Sequence, residues 1–278
     1  TKEEILFNCI NSIKKEINII NVENSSDENH KKKIENKYDN VKVILSGRNL
    51  GYGSANNLGL QNVKTRYVLI SNPDVEYNKD FFDKITFYLN GDINFGVIGP
   101  SYNDETIHKS YGSLDGTIIK DEFDKYFLKE VGYVIGCSML LDTKNIKTDS
   151  FFDENFFLYF EEFDLCKSLI NSGKNIYTAK ELKIHHLGFK SSLGEKGKDH
   201  SNMIRLKDWH YMWSSFYFYK KNYSYLFAIK KLSGKFFRSL FKSIFYTLLF
   251  KKENREKYLS RFLGLLNSML NRPPNYRG

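Results

Sequence analysis

Four groups of residues in this chain have types and spacings that could do chemistry. The run Tyr67-Val68-Leu69-Ile70-Ser71 reads as a buried strand that stops at Asn72-Pro73-Asp74, because Pro73 has no N–H to continue a ladder. Asp74 is thereby delivered to the carboxyl end of a core strand, where open α/β sheets keep their ligands. A carboxylate there can hold a divalent cation, and a cation can hold a diphosphate. Glu161, Glu162 and Asp164 crowd three carboxylates into an aromatic stretch at the expected start of a helix. Such acids either answer the helix dipole or, shielded by apolar neighbours, serve as a general base. His185-His186 closes a strand, and one imidazole could meet a metal or a phosphate oxygen. Asn49-Leu50-Gly51-Tyr52-Gly53-Ser54-Ala55-Asn56-Asn57 is a Gly- and Asn-rich loop running into a helix, suited to close backbone approach by an anion or a polar ring. It is neither a Walker loop nor a G-x-G-x-x-G fingerprint. Taken singly, each group also reads as ordinary structure: turn residues, solvated acids, a structural His pair, a plain loop.

Periodicity supplies the elements that must position these groups. Helices are predicted over 2–15, 27–38, 80–89 and 161–172, the last ended by Gly173, and another follows the Gly/Asn loop. Strands are predicted over 17–22, 41–45, 67–71, 97–100, 131–141, 175–179 and 182–186, with a hairpin around 113–119 and a polar loop over 187–197. Helices alternating with strands through the first 75 residues mark an α/β fold with a mainly parallel sheet. From residue 201 long amphipathic helices take over. Over 231–250 a wheel puts Leu232, Phe236, Phe237, Leu240, Ile244 and Leu248 on one face and Lys231, Lys235, Arg238 and Lys242 on the other. The predicted division is 1–200 for the body and 201–278 for the helical extension.

Composition narrows the function classes. With 278 residues, 41% of them hydrophobic, the chain can bury a large core and is no disordered segment. Cys9, Cys137 and Cys166 are odd in number and widely spaced, which fits a reducing compartment and offers no zinc motif. No apolar run approaches the roughly 18 residues of a membrane span. The net charge is +9, and residues 202–278 hold 16 Lys/Arg against 3 Asp/Glu. That asymmetry points to a polyanionic surface, either a membrane leaflet or nucleic acid. No nucleic-acid recognition fold accompanies it, so nucleic acid is not an expected partner.

Together the motifs resemble glycosyltransferase family 2, most closely its bacterial rhamnosyltransferase-like branch. The likeness rests on the Asn49–Asn57 loop, Asn72-Pro73-Asp74-Val75, Phe152-Asp153-Glu154, Phe157-x-Tyr159-x-Glu161-Glu162-x-Asp164-Leu165-Cys166, and His186, in that order. It implies a GT-A fold and an inverting sugar transfer from a nucleotide-diphosphate donor to an acceptor hydroxyl, in bacterial surface polysaccharide assembly. By position, Glu23 and Asn24 look like the strand end that meets the nucleobase, with Glu23 where the family usually has Asp. Asn49, Gly51, Gly53, Asn56 and Asn57 resemble the donor loop. Asp74 looks like the surviving acid of a D-x-D metal motif, and Asn72 stands in place of the first acid. Glu162, beside Glu161, is similar to the catalytic base, and His186 to the His near the diphosphate and metal. Ser168 stands where many members have an Arg. The resemblance further implies a Mg²⁺ or Mn²⁺ cofactor and a lipid-linked saccharide or polysaccharide acceptor; the basic amphipathic tail either holds a cytoplasmic enzyme peripherally on the anionic inner face of the membrane or packs on the body with its Lys/Arg solvated. Family members open with an apolar strand that is missing before the first helix here, so an N-terminal truncation is expected. The substituted acids and Ser168 also leave a second reading, a non-catalytic remnant that binds nucleotide sugar.

Overall fold

The computed structural model describes residues 3–91, 93–102, 110–114, 122–145, 151–187 and 198–277. In chain order the first elements are α1 (Glu3–Asn11), β1 (Ile19–Glu23), α2 (Glu28–Lys37), β2 (Val41–Leu45), α3 (Tyr52–Leu60), β3 (Tyr67–Ser71), β4 (Val75–Tyr77), α4 (Phe81–Asn90) and β5 (Val97–Tyr102). After them come β6 (Tyr111–Gly112), β7 (Leu128–Glu130), β8 (Tyr133–Val134), β9 (Ser138–Asp142), α5 (Glu161–Asn171), β10 (Ile176–His186), α6 (Lys198–Asn222), α7 (Tyr225–Leu248) and α8 (Lys252–Met269). The chain forms two compact units. The first gathers 1–50, 55–152 and 165–192, and the second gathers 51–54, 153–164 and 193–278.

The first unit is built on a mixed sheet of order β3-β9-β5-β10-β4, with β7 also pairing β10. Strands β5 and β9 are buried along their whole length, the polar Ser101, Ser138 and Asp142 included. One core joins Phe81, Phe82, Ile85 and Tyr88 of α4 to Val75, Ile98, Leu140 and Ile184 of the sheet. Strands β1 and β2 pair in parallel, and Val41 and Val43 of β2 pack with Leu6, Ile10 and Ile34 from α1 and α2. Asp27 caps α2 by accepting from the His30 N–H at 3.0 Å, a contact worth about 1 kcal/mol. Parallel pairing is confined to β1–β2 and β5–β10 among the described residues, because β9 returns antiparallel between β3 and β5. Less of the sheet is therefore parallel than the alternation of helices and strands implies.

Two strand readings change in detail. The run predicted over 131–141 is broken into β8 and β9 by the turn at Ile135-Gly136-Cys137, whose Cys137 carbonyl accepts from the Asn72 N–H at 2.8 Å. Conversely, the pieces predicted over 175–179 and 182–186 are one strand, β10, with a register shift between Ala179 and Lys183. The hairpin expected around 113–119 falls largely outside the described residues, as does the loop over 187–197. The three cysteines are buried and free.

The second unit is a helical layer of α6, α7 and α8 around Met212, Phe216, Ala228, Leu232 and Leu265. Gly264 makes the α6–α8 crossing possible, since a Cβ there would lie 2.3 Å from the Trp209 carbonyl oxygen. The face that α7 buries is Ala228, Leu232, Ser239 and Ser243, one edge of the apolar arc the wheel predicts, with Phe236 partly buried beside it. Small side chains let helices approach closely, and Phe237, Ile244 and Leu248 are left exposed. A C-terminal segment lies on α6. Trp213 Nε1–H donates to the Arg272 carbonyl at 2.9 Å, and His210 Nε2 sits 2.8 Å from that of Tyr276. A carbonyl only accepts, so His210 Nε2 carries the hydrogen. Burial also holds the His210 pKa down to about 4, keeping the ring neutral.

Asn57 is 2% exposed and clasps the Phe152 backbone at both ends, Nδ2 donating to its carbonyl at 2.8 Å and Oδ1 accepting from its N–H at 2.9 Å. Replacing Asn57 by Ala takes these partners from two buried backbone groups. The expected loss is about 2–3 kcal/mol of stability, measured by chemical denaturation.

Candidate functional site

Two clusters carry the residues that the sequence singles out, one in each unit. In the first unit, β4 and β10 pair antiparallel with His186 opposite Val75. The Leu187 N–H donates to the Asp74 carbonyl at 3.0 Å, closing the end of that ladder. This register sets His186 Nε2 3.4 Å from Asp74 Oδ1. Asp74 is 3% exposed, and the His186 ring is stacked on Tyr102 of β5 at 5.9 Å between centroids. Asn72 holds the turn: its carbonyl accepts from the Val75 N–H at 3.3 Å and from Ser71 Oγ at 3.1 Å. Pro73 thus ends β3 as its missing N–H requires, and Asp74 follows on the next strand's threshold.

Asn24, at the end of β1, binds the loop after β2. Its Oδ1 accepts from the Leu50 N–H at 2.8 Å and from Ser46 Oγ at 3.2 Å, and its Nδ2 donates to Asn49 Oδ1 at 3.2 Å. Glu23 lies 3.5 Å from His30 Nε2. Asn24 and Asn49 are thus brought together, while Asn57 is turned inward to Phe152.

In the second unit, Glu161 and Glu162 open α5. Immediately before them Tyr159 and Phe160 have φ of 69° and 72°, a left-handed backbone that costs a non-glycine residue about 1–3 kcal/mol. Ring packing holds them there. Phe160 lies 5.1 Å from Phe163 and 5.5 Å from both Tyr211 and Phe218, Tyr159 lies 5.7 Å from Tyr211, and Ser214 Oγ donates to the Leu158 carbonyl at 2.9 Å. Glu161 is buried with its Oε2 lacking a hydrogen-bond partner, and Glu162 is half-buried. Burial raises the Glu162 carboxyl to about 7, against opposing N–H groups of Glu162, Phe163 and Phe160 at the helix start. Burial, and then the charge of Glu162, push Glu161 well above the usual carboxylate range. The pair therefore holds a carboxyl that changes charge near neutral pH, the property a general base needs.

Asp164 differs from its neighbours because it is paired. Lys221 Nζ donates to Asp164 Oδ2 at 2.6 Å and to Asp153 Oδ2 at 2.8 Å, and Asn222 Nδ2 donates to Asp164 Oδ1 at 2.8 Å. Burial alone would raise the Asp153 pKa, but the bonds from Lys221 and Asn155 outweigh it and hold it low. Gly51 also belongs to this unit, with φ of 85°, and a Cβ on it would fall 2.2 Å from the Phe157 carbonyl oxygen. Lys221, Asn222 and Tyr102 escaped the sequence reading. Nothing local marks a lysine late in a helix as the partner of acids 57 and 68 residues away.

The sequence comparison decides the family: residues 1–148 match Glycosyl transferase family 2, more than half of the chain. This chain belongs to glycosyl transferase family 2. It is 28% identical over 146 residues to the low-salt glycan biosynthesis hexosyltransferase of Haloferax volcanii, covering 46% of each chain, so the match spans about half the length of that relative. It is 22% identical over 218 residues to the N-acetylglucosaminyl-diphospho-decaprenol L-rhamnosyltransferase of Mycobacterium tuberculosis, covering 66% of this chain and 71% of that one. Those relatives agree with the rhamnosyltransferase-like branch of the family. Among solved structures, the mannosyltransferase PcManGT from Pyrobaculum calidifontis, in complex with GDP-Man and Mn²⁺, aligns at a TM-score of 0.55 with 10% identity over 97% of this chain and 83% of its own. S. aureus TarS aligns at 0.51 with 14% identity over 99% and 90%. The fold of this family member is GT-A, and its family chemistry is glycosyl transfer.

Raised carboxyl pKa values stabilise the folded chain below the ordinary value of 4.5, and that contribution is lost as pH rises through about 7. Glu162→Gln removes this loss. Thermal melts between about pH 5 and 8 should show the variant gaining on the wild type as pH rises, by on the order of 1–2 kcal/mol after screening.

Proposed function

We propose that this chain is an inverting, metal-dependent glycosyltransferase, with residues 1–200 as its catalytic domain and 201–278 as a helical extension. It moves a hexosyl group, rhamnose being the first to test, from a nucleotide-diphosphate sugar to the hydroxyl of a lipid-linked saccharide or polysaccharide in bacterial surface polysaccharide assembly. The observation that carries this reading is Glu162, half-buried at the start of α5 with its carboxyl raised to about 7.

In this reading Glu162 takes the proton of the acceptor hydroxyl as its oxygen bonds to the anomeric carbon. The bond from that carbon to the diphosphate breaks on the opposite side, and the configuration inverts. Burial favours proton uptake at Glu162, and Glu161 lies buried beside it with its own carboxyl raised by burial and then by the charge of Glu162. Glu23 and Asn24 meet the base, while Asn49 and Gly51 shape the donor loop, Gly53, Asn56 and Asn57 the start of α3 that the sequence reads as part of that loop, and Asn72 the turn. Asp74 and His186 are the groups that would hold Mg²⁺ or Mn²⁺. One buried carboxylate with one imidazole at 3.4 Å would suit a divalent cation. Among the described residues no group of three or more His, Cys, Asp or Glu forms a closed cage. When bound, the cation supplies positive charge against the leaving diphosphate. The mannosyltransferase relative in fold carries Mn²⁺ with its donor, which supports the same class of cofactor here.

Glu162→Gln and Asp74→Ala are each expected to lower transfer at least about 10²-fold while circular dichroism stays unchanged. The wild-type rate should rise with pH through about 7 as Glu162 ionises, a limb absent from any residual activity of the Glu162→Gln variant. A donor screen by thermal shift with Mg²⁺ or Mn²⁺ names the nucleotide sugar. Full turnover by either variant would sink the assignment, and donor binding without turnover by the wild type would leave a binding protein.

A further inference from the structure

Helix α7 presents an apolar stripe that is exposed among the described residues. Phe237, Phe241, Ile244, Phe245 and Leu248 recur at helical spacing on one exposed face, opposite the Leu232, Ser239 and Ser243 side that packs inward. The stripe runs on into the turn before α8, where Leu249 and Phe250 are also exposed. Phe241, Leu248 and Phe250 are 66, 72 and 94% exposed, far more than a scattered surface Leu or Phe would explain. Phe250 has φ of 54°, so the helix stops there and the ring stands at the tip of a two-helix hairpin.

Charge selects the occupant. Residues 223–252 contain seven Lys/Arg and no Asp/Glu. Lys230, Lys231, Lys235 and Arg238 are exposed along α7, and Lys251 and Lys252 directly follow the tip ring. None of these six forms an ion pair with an acid among the described residues; Lys231 and Lys235 lie over the Tyr219 and Tyr211 rings instead. The nearest acid in sequence, Glu253, lies in the first turn of α8. A second copy of this chain seated on the stripe would bring like charges together. An anionic lipid surface answers both features, since rings enter the acyl boundary while lysines and arginines meet headgroup phosphates.

We infer that the α7–α8 hairpin is a membrane-docking device that inserts Phe241, Phe245, Leu248 and Phe250 into an anionic phospholipid leaflet. No helix among the described residues is long and apolar enough to cross a membrane, so the contact is one of lying on the surface. This goes beyond the basic tail of the sequence by naming which face enters and by separating Leu248, which is exposed, from Leu232, which packs inward. The inference does not depend on sugar transfer, and its test uses neither donor nor acceptor.

The test is sedimentation of the full chain with phosphatidylcholine vesicles containing about 30 mol% phosphatidylglycerol, and with pure phosphatidylcholine vesicles. Binding should be about tenfold or more tighter to the anionic vesicles and weaken with salt. Phe241→Glu with Phe250→Glu should reduce it by about tenfold or more, with an unchanged circular dichroism spectrum. In a separate Phe250→Trp variant, quenching by brominated lipid should place the new indole in the acyl region. Equal binding by the double Glu variant would overturn the inference, as would an unquenched indole. Light scattering that finds a wild-type dimer, lost in the double Glu variant, together with no vesicle binding, would assign the face to self-association instead.

Discussion

One ammonium group holds the segment that leads into α5. Lys221 bridges Asp153 and Asp164, the two ends of a twelve-residue stretch, and shares them with Tyr217 and Asn222. Between these anchors the backbone passes through two left-handed aromatic residues, a conformation that relaxes unless the surroundings over-determine it. With both ends tied and Phe160 enclosed by Phe163, Tyr211 and Phe218, the strained turn persists and α5 begins at Glu161. Three adjacent carboxylates then take different roles. Asp164 is neutralised by Lys221, Glu161 is buried, and Glu162 remains half-open. Burial is what lifts the last two, while Asp164 meets Lys221 as an anchor.

The first unit solves a different problem, that of bringing a carboxylate and an imidazole more than a hundred residues apart to one place. Strand pairing does it. The antiparallel register of β4 with β10 puts His186 across from Val75, and the Asp74 carbonyl closes the ladder. A one-residue slip would turn His186 to the other face of the sheet. Core burial of Val75 and Ile184 resists that slip, so the hydrophobic pattern of two short strands sets the geometry of a polar pair.

In the helical unit the same physics runs the other way. A helix whose apolar residues outnumber what one neighbour can cover must choose which to bury. Close approach favours Ala228, Ser239 and Ser243 beside Leu232, and the larger rings of α7 are left outside among lysines. Binary patterning shows that such a helix is amphipathic without showing which edge of its broad apolar arc meets protein.

The sequence alone determined the α/β class, the places of most strands and helices, the end of β3 at Asn72-Pro73-Asp74, and the start of α5 at Glu161. These follow from short-range rules: side-chain period, the missing proline N–H, and acids at a helix start. Ordered motifs also carried the family, since the Gly/Asn loop, Asp74, Glu162 and His186 lie in the right sequence of elements. Only the tertiary structure decided the order β3-β9-β5-β10-β4, the break between β8 and β9, the inward turn of Asn57, and the partnership of Lys221 with Asp153 and Asp164. Each of these is a long-range pairing whose partners share no local pattern. The same limit applies to charge: three acids in four positions look alike in a string, and only packing gives one a lysine and leaves the others among rings.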